Sequence, residues 1–273
     1  MPGTLHELLE TMAARLPDNV ALEDDRRKLT YSDWLRVSSN IACLLQRAGA
    51  KPGYVIGVVS DRSALLPCAF AAISMIGARF VSLNLGWPVQ ERERVFGRWS
   101  DRLVLTGFEN TALELSDENI LFVGKDVFED HETSCSLPDV DEDEEFYLNV
   151  TSASTGQAKI APTTHRQLLA NTKGVCRTLG LDQDDIHLSL FGVFGHPHEL
   201  FMRGIYLGGK TVLTERRYPR DLLNVISGSH VTAVMALPTQ LGSLSRLWRR
   251  TDADLSRVRI AEAGGMYVSD EFI

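Results

Sequence analysis

Apolar residues recur at helical spacing between positions 34 and 48 of the chain. They follow Thr30 and Asp33, a hydroxyl and an acid three residues apart, which is the pair that caps the start of many helices. The stripe ends before Gly49 and Pro52, two residue types that commonly terminate a helix. The spacing therefore predicts a helix that begins near Thr30. Its apolar positions are Trp34, Val37, Ile41, Leu44, Leu45 and Ala48.

Short β-rich runs alternate with helical stretches along the rest of the chain. Residues 54–59 (YVIGVV) form a continuous apolar run, which is typical of a strand covered on both faces. Residues 64–76 indicate a buried helix that ends at Gly77. Further strands are predicted at 80–83, 103–106, 146–150, 186–190, 211–213, 233–237 and 258–261, with helices between most of them. Such repeats predict an α/β fold of two mostly parallel sheets layered with helices.

An acidic segment, residues 139–145 (DVDEDEE), separates two groups of alternating elements. A run of like charges is typical of a solvated surface linker. We therefore predict two α/β subdomains, the first over residues 1–145 and the second over residues 146–273.

The composition narrows the classes of function. The chain has 273 residues, of which 44% are hydrophobic, so it can bury a large core. Its net charge of -8 argues against a nucleic acid or an anionic membrane as partner. The most apolar stretch, residues 64–78, is too short to span a bilayer. Because Cys43, Cys68, Cys135 and Cys176 are scattered without metal-ligand spacing, we expect reduced thiols in a cytoplasmic protein.

A loop rich in hydroxyl groups, residues 151–159 (TSASTGQAK), follows the strand predicted at 146–150. Its hydroxyls and free backbone N–H groups can wrap phosphate oxygens, and a lysine adds a positive charge. It is not a Walker loop, because Gly156 lies three residues before Lys159 and Ile160 stands where that motif requires Ser or Thr. Composition alone fits a phosphate site and a polar surface loop with a solvated lysine equally well.

Residues 148–171 (LNVTSASTGQAKIAPTTHRQLLAN) resemble the signature of the adenylate-forming superfamily. This superfamily includes acyl- and aryl-CoA ligases, luciferases, fatty acyl-AMP ligases and the adenylation domains of nonribosomal peptide synthetases. The matching positions are Thr151, Ser152, Ser154, Thr155, Gly156, Lys159, Thr164 and His165. Three positions differ, because Ala153 replaces a glycine, Ala158 a proline, and Ile160 the glycine after the lysine. Segments 29–34, 49–58, 72–88, 236–240 and 261–265 also resemble the family, in the family's order.

The resemblance implies an enzyme that activates a carboxylic acid with ATP and Mg²⁺ and then passes the acyl group to CoA or a carrier-protein thiol. It implies the flavodoxin-like sheets of the family's amino-terminal domain. It also implies that the ATP phosphates are held by Thr151, Ser152, Ser154, Thr155, Gly156 and Lys159. Because glycines favour loop movement, Ala153 and Ile160 predict a stiffer loop than the family's.

The same resemblance places an acyl pocket at Phe191, Phe194, His196, Gly264 and Gly265. Residues 191–198 (FGVFGHPH) lie where many relatives carry a histidine, which aligns here with Gly192. His196 or His198 could substitute for it, or each could be an ordinary loop residue. Relatives that activate α-amino acids carry an aspartate in this region, and its absence predicts an aliphatic or aromatic acid.

The chain ends at Ile273, before the segments with which the family holds the ATP ribose and supplies a carboxy-terminal catalytic lysine. The resemblance therefore implies about half of a catalytic unit, inactive alone, in which no catalytic residue and no metal ligand is assigned. Three functions stay open. They are an acid–thiol ligase, an adenylation module of a peptide or polyketide assembly line, and a non-catalytic half that binds a nucleotide or a partner.

Overall fold

The computed structural model describes residues 2–84, 86–108, 120–129, 134–151 and 159–266. Within these ranges the helices are α1 (Leu5–Arg15), α2 (Tyr31–Arg47), α3 (Leu65–Met75), α4 (Val89–Phe96), α5 (His165–Leu179), α6 (Met202–Leu207), α7 (Pro219–Gly228) and α8 (Pro238–Trp248). The strands are β1 (Val20–Glu23), β2 (Lys28–Thr30), β3 (Val55–Val59), β4 (Arg79–Ser82), β5 (Arg102–Thr106), β6 (Ile120–Phe122), β7 (Glu145–Thr151), β8 (Lys159–Thr164), β9 (Ile186–Ser189), β10 (Lys210–Val212), β11 (Ala233–Ala236) and β12 (Ile260–Ala263). Short 3-10 helices span Lys125–Phe128 and Pro197–Leu200.

The strands form two six-stranded sheets. The order is β6-β5-β3-β4-β7-β8 in the first sheet and β12-β11-β9-β10-β1-β2 in the second. Neighbouring strands run parallel except for one pair at an edge of each sheet, which is β7 with β8 and β1 with β2. The predicted α/β class with two mostly parallel sheets and layered helices is confirmed.

Each sheet takes its antiparallel edge pair from the other half of the chain. β1 pairs with β10, where Leu22 is opposite Thr211, and β7 pairs with β4, where Tyr147 is opposite Phe80. The sequence pattern did not predict β1 and β2, which have only four and three residues, or β8, whose six residues include Pro162. The subdomain boundary after residue 145 stays a prediction, and strands cross it in both directions.

Helix α3 is buried along its whole length, as its apolar run predicts. Its Phe70 contacts rings from both halves of the chain, with centroid distances of 4.6 Å to Phe80, 4.7 Å to Phe146 and 5.2 Å to Phe201. Although α3 is so apolar, no helix in the described part of the chain has the length and composition needed to cross a membrane. Helix α2 packs against α3, and Thr30 caps it in a reciprocal exchange of hydrogen bonds with Asp33, as predicted.

The cysteines differ from the prediction of four reduced thiols. Cys43 on α2 and Cys135 form a disulfide with their Cα atoms 5.5 Å apart, whereas Cys68 and Cys176 are free and buried. The segment that contains Cys135 lies along α2, and the Gln46 side chain of α2 donates a hydrogen bond to the Ser136 carbonyl at 2.8 Å. The prediction is wrong for this pair, because a separation of 92 residues gives no sign that the side chains meet.

Candidate functional site

The predicted phosphate loop is the connection between β7 and β8, which form an antiparallel hairpin. Backbone pairing places Thr151 opposite Lys159, so the two ends of the loop adjoin each other. The Lys159 side chain is exposed. The remaining predicted phosphate ligands lie outside the described residues, and these are Ser152, Ser154, Thr155 and Gly156. The structure thus fixes the base of the predicted phosphate loop at the edge of the first sheet.

Strand β8 connects the predicted phosphate loop to α5, which begins at His165. Ile160, which replaces a family glycine, is opposite Val150 and packs against an apolar cluster of the first sheet. Pro162 has no N–H to donate, which an edge strand tolerates. The isoleucine at position 160 therefore contributes to the packing of the hairpin, a role that the sequence did not indicate.

The Thr164–His165 pair begins α5. The Thr164 side chain accepts a hydrogen bond from the Gln167 N–H at 3.2 Å, and the Gln167 side chain accepts one from the Thr164 N–H at 3.1 Å. The buried His165 ring stacks on Phe146 of β7 at a centroid distance of 4.3 Å. Thr164 therefore caps α5 at the end of the hairpin, and His165 packs this end of the hairpin against the hydrophobic core.

A loop of residues 190–196, called here the 190–196 loop, connects β9 to the 3-10 helix Pro197–Leu200. A Cβ atom added to Gly264 would stand 3.3 Å from Cζ of Phe191 in this loop. One added to Gly265 would stand 3.0 Å from a Leu237 methyl group, and Gly265 also has a φ of 78°, which favours glycine. The structure therefore brings Phe191, Gly264 and Gly265 together, as a shared pocket wall requires.

The other two residues predicted for the acyl pocket lie elsewhere along the loop. Phe194 is partly buried against the main core. His196 is exposed, and its Nδ1 lies 3.3 Å from Nδ2 of Asn149 on β7. Asn149 lies two residues before the end of β7, the strand that leads into the predicted phosphate loop. His196 is thus next to the strand that leads into the predicted phosphate loop.

A partly buried ion cluster of Arg203, Glu199 and Glu262 ties helix α6 to β12. Arg203 Nη2 lies 2.9 Å from a Glu199 oxygen, and Arg203 Nη1 lies 2.5 Å from a Glu262 oxygen. The Arg203 side chain is 9% exposed, and those of Glu199 and Glu262 are 18% and 25% exposed. Since Glu262 precedes Gly264 by two residues, the cluster anchors the strand that ends at the glycines. Its sequence signal was the four-residue spacing of Glu199 and Arg203 on a predicted helix.

Three buried histidines make the fold sensitive to acid. Burial is the main cause that lowers the pKa of His165 and His198 to about 3 and that of His187 to about 4. The folded chain therefore holds these rings neutral, whereas the unfolded chain binds protons below pH ~6.5. The stability that they contribute is complete above that pH and is lost as the pH falls towards 4. We expect the free energy of unfolding in urea to drop by about 1 kcal/mol per histidine from pH 7.5 to pH 5.5.

A matched pair of variants assigns this acid sensitivity to burial. His165→Phe keeps an aromatic ring on Phe146 and should reduce the loss between the two pH values by about 1 kcal/mol. His230→Asn changes an exposed histidine with a φ of 55°, a conformation that asparagine tolerates, and should leave the loss unchanged. An equal loss in His165→Phe and the unaltered chain would show that this ring does not titrate on unfolding.

The chain is similar to known AMP-binding enzymes, among them an acyl–CoA ligase and a peptide synthase. A family model described as AMP-binding enzyme matches residues 9–273. The chain is 24% identical over 265 residues to an uncharacterized acyl–CoA ligase, YhfT, of Bacillus subtilis (strain 168), with 96% of this chain and 54% of the relative covered. It is 22% identical over 264 residues to gramicidin S synthase 2 of Brevibacillus brevis, with 95% of this chain and 6% of the relative covered. The chain thus spans about half the length of the first of these relatives.

A solved structure of similar fold is that of the anthranilate CoA ligase AuaEII in complex with anthranoyl-AMP. It superimposes with a TM-score of 0.84 at 20% sequence identity, over 96% of this chain and 54% of that chain. At this identity the likeness concerns the fold, and it agrees with the two layered sheets described above.

Proposed function

Because the chain belongs to the AMP-binding enzyme family, we propose that it supplies the acid- and phosphate-binding part of an ATP-dependent enzyme that activates a carboxylic acid. The observation that carries the proposal is the approach of the 190–196 loop to the β7–β8 hairpin, where His196 meets Asn149. The wall that we propose for the acid thereby lies beside the base of the loop that we propose for the phosphates. Adenylate formation requires this arrangement, because a carboxylate oxygen must reach the α-phosphorus of ATP.

On the ATP side, we propose that the hydroxyls between Thr151 and Thr155, with Gly156 and Lys159, hold the β- and γ-phosphates. The carboxylate forms a bond to the α-phosphorus, and the bond from that phosphorus to the bridging oxygen of pyrophosphate breaks. Hydrogen bonds and the lysine charge favour the leaving pyrophosphate. Mg²⁺ enters with the nucleotide in this proposal. We assign it no protein ligand, because the described ranges contain no group of three His, Cys, Asp or Glu side chains placed to hold a metal.

On the acid side, we propose that Phe191 and the backbone of Gly264 and Gly265 contact the acyl group. The Phe191 ring packs directly on the two glycines, and its partly exposed side can contact an aromatic ring or an alkyl chain. We propose that His196, which is exposed next to β7, contacts the carboxylate end. We therefore propose an aliphatic or aromatic acid as substrate. The bound anthranoyl-AMP of AuaEII makes an aryl acid a sensible first probe.

For the second step, we propose transfer of the acyl group to a thiol with release of AMP. The thiol sulfur bonds to the acyl carbon, the bond from that carbon to the phosphate oxygen breaks, and the thiol proton leaves to solvent. The similarity to both YhfT and gramicidin S synthase 2 keeps CoA and a carrier-protein phosphopantetheine as the two acceptors to compare. The cytoplasm is our proposed location, which fractionation of the producing cells would test.

The test is acid-dependent exchange of labelled pyrophosphate into ATP. Benzoate, anthranilate, octanoate and L-aspartate are offered to the protein encoded by the complete reading frame and to residues 1–273 alone. We expect exchange with at least one acid from the former. We expect no appreciable exchange from the latter, since the chain spans only 54% of its acyl–CoA ligase relative. Absence of exchange from both, together with ATP binding, would favour a non-catalytic nucleotide-binding role. Robust exchange by residues 1–273 would refute the view that the chain needs a further part.

A further inference from the structure

The 190–196 loop lies across three neighbouring strands of the first sheet, although it begins at the end of a strand of the second. Its carbonyl groups accept hydrogen bonds from the segment just after β3, from β4 and from β7, in the order in which those strands stand in the sheet. Arg62, three residues after β3, donates from Nε to the Phe191 carbonyl at 2.8 Å. The same guanidinium donates from Nη2 to the Leu190 carbonyl at 3.2 Å. One planar side chain thus fixes two successive peptide groups.

Two hydroxyl groups continue this series along the loop. Ser82, the last residue of β4, donates from Oγ to the Val193 carbonyl at 2.7 Å. The Tyr147 hydroxyl of β7 donates to the Gly195 carbonyl at 3.1 Å. Both side chains are almost fully buried, with 5% and 2% of their residues' surfaces exposed. A buried hydroxyl without an acceptor is costly, so these two side chains favour one position of the loop over others.

The fixed backbone determines where the pocket ring stands. The loop contains no helix or strand that would fix its backbone. Of the two hydrogen bonds that Arg62 donates to the loop, the shorter one is to the Phe191 carbonyl. Arg62 is itself held in place, because its backbone N–H donates to Glu215 at 2.7 Å. The ring of Phe191 then rests on Gly264 and Gly265. Side chains in or next to the first sheet therefore set the position of Phe191, which belongs to a loop that follows a strand of the second sheet.

We propose that Arg62, Ser82 and Tyr147 are positioning residues that hold the 190–196 loop and so set the position of the acyl-pocket wall that Phe191 forms on the two glycines. This inference rests on the proposed function for its consequence, because a pocket for an acid is what the loop would shape. Its structural part, the control of the Phe191 position by the first sheet, is independent of any reaction. The two parts are tested separately.

The structural part is tested by fluorine NMR of the chain labelled with 4-fluorophenylalanine. The Phe191 resonance is assigned by its loss in Phe191→Leu. Arg62→Lys keeps the charge but loses the planar fork, and Ser82→Ala removes one hydroxyl. Tyr147→Phe replaces the other hydroxyl with the fluorine of an added ring, whose line is recognised because the unaltered chain lacks it. We expect each variant to shift or broaden the Phe191 line. Arg79→Lys is the control for Arg62, because Arg79 also donates twice to backbone, at Gly53, far from the loop.

A second control matches the serine variant. Ser38→Ala removes another buried hydroxyl that donates to a carbonyl, that of Trp34 within α2. Neither control should move the Phe191 line. Unchanged Phe191 lines in Arg62→Lys, Ser82→Ala and Tyr147→Phe would overturn the inference. Equal changes in the controls would also overturn it, since they would indicate a general loosening of the fold.

The functional part is tested by pyrophosphate exchange in the complete protein, with the acid that exchanges fastest in the panel above. We expect the three variants to raise the KM for the acid by about fivefold each, with the KM for ATP unchanged. In a Phe191→Leu background the same variants should change the acid KM by less than about twofold, since they act through that ring. Equal effects on both KM values would show that these residues do not shape the acid pocket. If no acid supports exchange in the unaltered protein, the proposed function fails, and the fluorine result still decides the structural part.

Discussion

Arg203→Met is expected to destabilise the chain by roughly 2–4 kcal/mol, among the largest effects of any single substitution at the candidate site. Methionine fills a similar volume but leaves Glu199 and Glu262 close to each other without the guanidinium between them. Both carboxylates are mostly shielded from water, with side-chain exposures of 18% and 25%. This partial exposure is why we place the loss somewhat below that for a fully buried pair. Urea unfolding at pH 7.5 measures it.

A triple variant separates the loss of the cation from the loss of packing. Arg203→Met combined with Glu199→Gln and Glu262→Gln removes all three charges at nearly constant volume. We expect it to recover most of the stability that the single variant loses, because no uncompensated charge remains. Recovery would attribute the effect to electrostatics. A triple variant as unstable as Arg203→Met would instead indicate that the side chain acts through shape alone.

Lys159→Ala is expected to slow adenylate formation in the complete protein by about ten- to a hundredfold. The lysine stands at the end of the predicted phosphate loop, opposite Thr151 in the hairpin register. A charge-assisted contact to a phosphate contributes about 1.5–3 kcal/mol, which corresponds to that range of rates. The thiol-transfer step should slow less, because pyrophosphate has already left. Single-turnover measurements of the two half-reactions distinguish these steps.

The control for this prediction is Lys173→Ala, which removes an exposed lysine from α5 in the same part of the chain. It should leave both half-reactions unchanged. If Lys159→Ala leaves both half-reactions as fast as Lys173→Ala does, the Lys159 side chain does not contribute to either step. The β7–β8 connection would then have no role in binding phosphate through this side chain.

Elements with a strong local pattern could be predicted from the sequence. Helix α2 begins where Thr30 and Asp33 indicate, and the apolar runs of β3 and α3 form a buried strand and a buried helix. Each of these depends on side chains a few residues apart. The resemblance also located the β7–β8 connection and the glycines at 264 and 265, because motifs of that kind are short and continuous.

The features that the sequence did not reveal depend on residues far apart in the chain. Strand β1 gains its parallel partner at Thr211, and the disulfide joins positions 92 residues apart. Arg62 meets its carbonyl partners at Leu190 and Phe191. A carbonyl acceptor is present at every residue, so no sequence pattern marks which one a given arginine will reach. Such contacts follow from the topology of the sheets and become visible only with it.

The exchange of edge strands between the sheets has a consequence for synthesis on the ribosome. Hairpin β1–β2 emerges early, but its parallel neighbour β10 contains Thr211, which pairs with Leu22. At typical elongation rates of about 5–20 residues per second, that neighbour follows after roughly 10–40 s. During this interval one edge of a short hairpin is open to pairing with other chains. A nascent chain of this topology should therefore depend on chaperone cover of its first thirty residues until the second sheet can close.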